Sequence, residues 1–88
     1  MQQVEVKSWL TGEVLLSTEA ESLKEALEKA VDEGKDLAYA SLDGASLVRA
    51  RLDGASLDGA RLDGASLDGA SLDGASLVRA RLDGASLD

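Results

Sequence analysis

Residues 40–58 read ASLDGASLVRARLDGASLD, with Leu42, Leu47, Leu52 and Leu57 five apart and each two places after an alanine. Outward from this stretch the beat continues without a break, with leucine at every fifth position from Leu37 to Leu87 and alanine at every fifth from Ala40 to Ala85. Repetition at a fixed period is read before local propensity, because it determines the architecture as a whole. A period of five suits neither regular element. An α-helix turns about 100° per residue, so leucines five apart advance by about 140° net and spiral around the helix without forming a stripe. A flat strand sends successive leucines to opposite faces. The chain must therefore turn a corner once per unit, and it carries residues suited to one. Asp-Gly recurs at 43–44, 53–54, 58–59, 63–64, 68–69, 73–74 and 83–84, and this dipeptide favours tight turns.

Eleven consecutive leucine registers, ten of them with Ala and then Ser or Arg before the leucine and the first with Lys35-Asp36, resemble the pentapeptide-repeat family over residues 35–88. That resemblance implies a mainly β fold, a right-handed quadrilateral β-helix in which four pentapeptides make one 20-residue coil. It also implies that the central Leu and the preceding Ala point inward, leaving three positions facing water. One position departs from the family pattern: the residue before the leucine is Ser or Arg in place of Asp or Asn, except at Asp36. Ladders of side chains bonded between coils are accordingly not expected from that position.

Residues 1–34 read differently. Val4, Val6 and Leu10 alternate with charged residues, Thr11-Gly12 interrupts, and Val14-Leu15-Leu16 follows, predicting a hairpin with Trp9 near its turn. Ser22 and Glu25 have the spacing of a capping box. Leu23, Ala26, Leu27, Ala30 and Val31 then form one apolar helical stripe, which Gly34 ends. The first coil of a stacked repeat exposes an apolar end, so this segment is expected to cap it. The run Trp-Leu-Thr-Gly-Glu-Val-Leu before a helix is similar to the N-terminal caps of some bacterial pentapeptide-repeat proteins. The acidity lies here too: residues 1–34 carry eight acids against three lysines, a net −5, and residues 35–88 carry nine aspartates against six cations, a net −3.

The sequence given stops at Asp88 in mid-repeat. The last coil is expected to be uncapped, presenting Leu77, Ala80, Leu82, Ala85 and Leu87 as the face of an end-to-end homodimer, because bare edges are covered or paired. Residues 40–58 and 70–88 are the same 19-residue string. So small an alphabet points to a designed or consensus sequence, with a recent natural duplication as the alternative. Stacking at 20 residues would align Asp43, Asp63 and Asp83 with Arg61 and Arg81 on one face.

Cys, His, Pro and Phe are absent, so no disulfide is available, no His or Cys can serve as acid, base or nucleophile, the repeated serines have no base placed to activate them, and the carboxylates are expected on a solvated surface. No catalytic residue, cofactor, metal ligand or small-molecule substrate is expected. The Asp-Gly units lack the nonapeptide spacing of calcium-binding β-rolls. Sparse arginines alternating with acids disfavour nucleic acid, and no apolar run is long enough to span a membrane, so a soluble, cytoplasmic protein is expected. The leading expectation is a structural scaffold. The family supplies the alternative of an acidic rod that imitates duplex DNA on a type II topoisomerase, or a carrier of a protein-binding face.

Overall fold

The computed structural model describes residues 1–86. Strand β1 (Gln2–Lys7) and strand β2 (Val14–Ala20) form an antiparallel hairpin in which Gln2 faces Ala20 and Val6 faces Leu16. A bulge after Val6 shifts the register so that Lys7 faces Val14. Alternation places Val4, Val6, Leu16 and Ala20 on the buried face. Leu10 does not continue that pattern. It lies beyond β1 in the connecting loop, 56% exposed, because the chain reverses at Ser8. The Ser8 side chain is buried there, and its Oγ accepts from the N–H groups of Leu10 and Thr11, both at 3.1 Å. A serine folding back on the two residues after it offers the backbone an alternative to the strand ladder.

Helix α1 (Leu23–Asp32) starts where the Ser22 hydroxyl accepts from the Glu25 N–H at 3.2 Å. The reciprocal half of the expected capping box is displaced by one residue, since the Glu25 carboxylate accepts from the N–H of Glu21 at 3.4 Å instead of that of Ser22. At the other end the Lys35 N–H reaches the Ala30 carbonyl and the Gly34 N–H reaches the Val31 carbonyl, both at 3.0 Å. This pair of bonds is a Schellman motif closed by Gly34 at φ 72°. Ala26, Leu27 and Ala30 are buried and face the rest of the core.

From Asp36 onward the chain stacks on itself. Parallel bridges join residues 20 apart, among them Asp36 to Ser56, Ser41 to Arg61, Ser46 to Ser66 and Arg51 to Ser71, and each bridging residue precedes a leucine. Four units thus complete each turn of chain, in a β-helix-like fold. The corners follow from the Leu-Asp-Gly-Ala sequence. The Ala45 N–H returns to the Leu42 carbonyl at 3.1 Å, and Gly44, third of the four residues, has φ 72°. Positive φ at that position alone identifies a type II turn, where glycine has no Cβ to clash. Three corners place a larger residue in the same left-handed conformation: Tyr39, Arg49 and Arg79, at φ 65°, 62° and 63°.

The expected inward positions are the core. Leu37, Leu47 and Ala60 are fully covered, and the leucines of the first units are at most 3% exposed as far as Leu67. Each buried leucine contributes roughly 1.5–3 kcal/mol. An apolar void of about 80 Å³ is lined by leucines alone, from Leu27 of α1 to Leu82. Leu27 therefore belongs to the same interior column as the repeats. The hairpin is joined to the first coil by backbone bonds, Ser41 N–H to Lys7 O at 2.8 Å and Trp9 N–H to Tyr39 O at 3.0 Å.

Candidate functional site

The face proposed from the sequence lies in the last described coil. Leu77, Ala80, Leu82 and Ala85 are all half-buried there, in contrast with the buried Leu57, Ala60, Leu62 and Ala65 one coil earlier. Leu87 lies outside the described residues. The four described residues point to one interior side because each occupies the Leu or Ala position of its unit, and the corner bonds Ala80 N–H to Leu77 O and Ala85 N–H to Leu82 O, both at 3.0 Å, hold their backbone.

Around the outside, polar side chains bond between coils. The Asp43, Asp53, Asp58 and Asp63 carboxylates each accept a backbone N–H from the residue 20 places on, at 3.0–3.1 Å. Asp53, Asp58 and Asp68 also accept from the hydroxyls of Ser71, Ser76 and Ser86. The sequence reading did not expect such ladders, since the position before the leucine had lost its carboxylate. The aspartate after the leucine does the work, with serine before the leucine as the donor from the next coil. Shifting the acceptor by two residues and supplying a hydroxyl at the vacated place keeps the inter-coil bond.

The expected charge column forms in part. Asp43, Asp63 and Asp83 do stack, and Arg81 approaches Asp83 at 3.1 Å and Asp63 at 3.4 Å. The hydrogen bond that Arg81 donates to the Asp83 carboxylate, followed by the attraction of Asp63 and Asp83, raises the Arg81 guanidinium above its ordinary value. Arg61 does not join that column. Its guanidinium carbon lies 4.0 Å from the centre of the Trp9 ring, and its Nε is buried with no hydrogen-bond partner among the described residues. A cation over an aromatic face exchanges hydration for the ring's quadrupole.

Trp9 anchors a cluster that sequence reasoning missed. Its Nε1–H donates to the Gly59 carbonyl at 2.6 Å, and its ring meets Tyr39 edge-on at 5.9 Å between centroids. The Tyr39 ring in turn covers Gly59, where an added Cβ would lie 2.6 Å from Tyr39 Cε1. The available signal was compositional, for Trp9 and Tyr39 are the chain's two aromatic residues and Tyr39 alone departs from Gly or Arg at its corner position. A groove of about 380 Å³ between β2 and α1, lined in part by Leu15, Thr18, Lys29 and Glu33, completes the surface features. No group of three acids among the described residues is arranged to hold a metal ion.

Pentapeptide repeats match residues 36–69 and 50–88 in eight copies, covering more than half of the 88 residues. The chain belongs to the pentapeptide-repeat family. Compared with the curated proteins and with the solved structures, this pentapeptide-repeat protein finds no significant match. None of its described helices is long and apolar enough to cross a membrane.

Proposed function

We propose that this pentapeptide-repeat protein is an engineered structural scaffold without catalytic activity, a right-handed quadrilateral β-helix over residues 35–88 capped by the hairpin and helix of residues 1–34. One observation carries this reading: the repeat's aspartates and serines bond to the next coil, as Asp53 does with Asp73 and Ser71, so the polar surface serves the stack itself. The 19-residue string shared by residues 40–58 and 70–88 supports the engineered origin. The cap is supported by Leu27, which enters the leucine column from α1. The half-exposed Leu77, Ala80, Leu82 and Ala85 support end-to-end pairing of two copies, with Leu87 completing the face. Sedimentation over a range of concentrations tests that pairing, and a monomer throughout the high micromolar range refutes it.

The family suggests a second reading, imitation of duplex DNA on a type II topoisomerase, and the column of Asp43, Asp63 and Asp83 favours it. The dimensions of a single chain weigh against it, since it measures 28 × 26 × 22 Å, short of one DNA turn of about 34 Å, whereas the end-to-end pair would be longer. A gyrase supercoiling assay separates the two readings. A scaffold leaves supercoiling unchanged, and inhibition by the wild-type chain overturns it.

A further inference from the structure

Seven Asp-Gly pairs share the local sequence Leu-Asp-Gly-Ala, so differences in reactivity among them must come from their surroundings. Aspartate before glycine is open to one intrinsic reaction. The glycine amide nitrogen attacks the aspartate Cγ and a new C–N bond closes a five-membered succinimide. The amide proton and the carboxyl hydroxyl leave together as water. Hydrolysis returns one water to either carbonyl and yields aspartate, or isoaspartate with the main chain rerouted through Cβ. The nucleophile must be a free amide and the electrophile a free carboxyl.

Four pairs meet neither condition. The N–H groups of Gly44, Gly54, Gly59 and Gly64 donate to carbonyls of the next coil, each at 2.8 Å. The carboxylates of Asp43, Asp53, Asp58 and Asp63 accept backbone N–H groups from that same coil. Reaction there requires local opening, as amide exchange does. Asp73-Gly74 and Asp83-Gly84 differ. Among the described residues neither glycine N–H has a hydrogen bond, the Asp73 carboxylate has none, and that of Asp83 meets only the exposed Arg81.

We propose that, in the unpaired chain, Asp73-Gly74 and Asp83-Gly84 are sites of spontaneous isoaspartate formation, and that inter-coil hydrogen bonding protects the Asp-Gly pairs at 43, 53, 58 and 63. Asp73 is the more reactive of the two, since its carboxylate has no hydrogen bond or ion pair among the described residues. An isoaspartyl-directed methyltransferase, which would take such a residue as its substrate, finds both on exposed corners.

The test ages the full chain in dilute, warm, neutral buffer and maps isoaspartate by peptide digestion with electron-transfer fragmentation. Two bonds guard each protected pair, and each contributes up to roughly a factor of ten, so positions 73 and 83 should lead by about tenfold or more. Equal accumulation at 43, 53, 58 and 63 overturns the proposal. In denaturant all six positions should react alike, and a persisting difference there assigns the order to sequence and overturns it as well. The D73E variant cannot close the five-membered ring and should lose the signal at that position. Its retention would refute the chemistry.

Discussion

Gly59→Ala is expected to cost far more than the same change at Gly54, although both glycines have left-handed backbones, at φ 73° and 77°. Placing a Cβ in that conformation costs about 1–2 kcal/mol at either site. At Gly54 nothing lies within 4 Å of the added carbon, so that is the whole penalty. At Gly59 the carbon would sit 2.6 and 2.7 Å from Tyr39 Cε1 and Cδ1, and the ring must move. Displacing it strains the edge-on pair with Trp9, worth about 0.5–1.5 kcal/mol. It also strains the bond from Trp9 Nε1 to the Gly59 carbonyl, worth a further 0.5–1.5 kcal/mol or so. The expected excess over Gly54→Ala is about 2 kcal/mol, or roughly 8–16 °C in melting temperature for a domain of this size. Urea unfolding followed by circular dichroism measures it. A cycle with Tyr39→Ala assigns it, because removing the ring should erase the excess. Equal losses at Gly54 and Gly59, or an excess that survives in the Tyr39→Ala background, would refute the claim that this ring dictates glycine at position 59.

Three further outcomes follow from the same geometry. Arg49→Gly relieves a left-handed arginine at φ 62° and should stabilise the fold by about 0.5–1 kcal/mol in thermal melts, net of the entropy glycine loses on folding. Leu57→Ala enlarges a void that already measures about 80 Å³; equilibrium unfolding should show a loss of about 2–5 kcal/mol. Arg81 gains attraction only in its charged form, so its contribution is complete below the ordinary guanidinium range and is lost as pH rises through its raised value. A stability profile across neutral pH should therefore be the same for wild type and Arg81→Gln in shape, and a step unique to wild type would contradict this.

The interior was legible because it depends on side-chain size at a fixed period. Leu37 through Leu67 and Ala40 through Ala65 are buried as their spacing requires, and the helix begins and ends at Ser22 and Gly34. The exterior was legible only in kind. Which carboxylate bonds across coils depends on backbone direction at the corner, and the sequence does not display that until the turn type is known. Asp58 and Ser76 therefore meet where a reading by family position expected no ladder. Trp9 and Arg61 are 52 residues apart and belong to different elements, so no local pattern could bring them together. The half-exposed face of Leu77 and Leu82 was drawn from the stacking geometry itself.

The two corners at which Tyr39 leans on Gly59 and Arg49 on Gly69 set a rule for how such a chain can grow. Bulk in one layer crowds a side chain in the layer above, 20 residues on, severely at Tyr39 and Gly59 and more mildly at Arg49 and Gly69. The two copies of the 19-residue string are 30 residues apart, so Arg79 falls in the column of Gly59 and not in that of Arg49. Copying a segment of 20 residues would instead set arginine over arginine at one edge. Tandem duplication in steps of 30 alternates the large residues between opposite edges and keeps a glycine beside each, so the length of the copied segment, more than its composition, decides whether a longer version can stack.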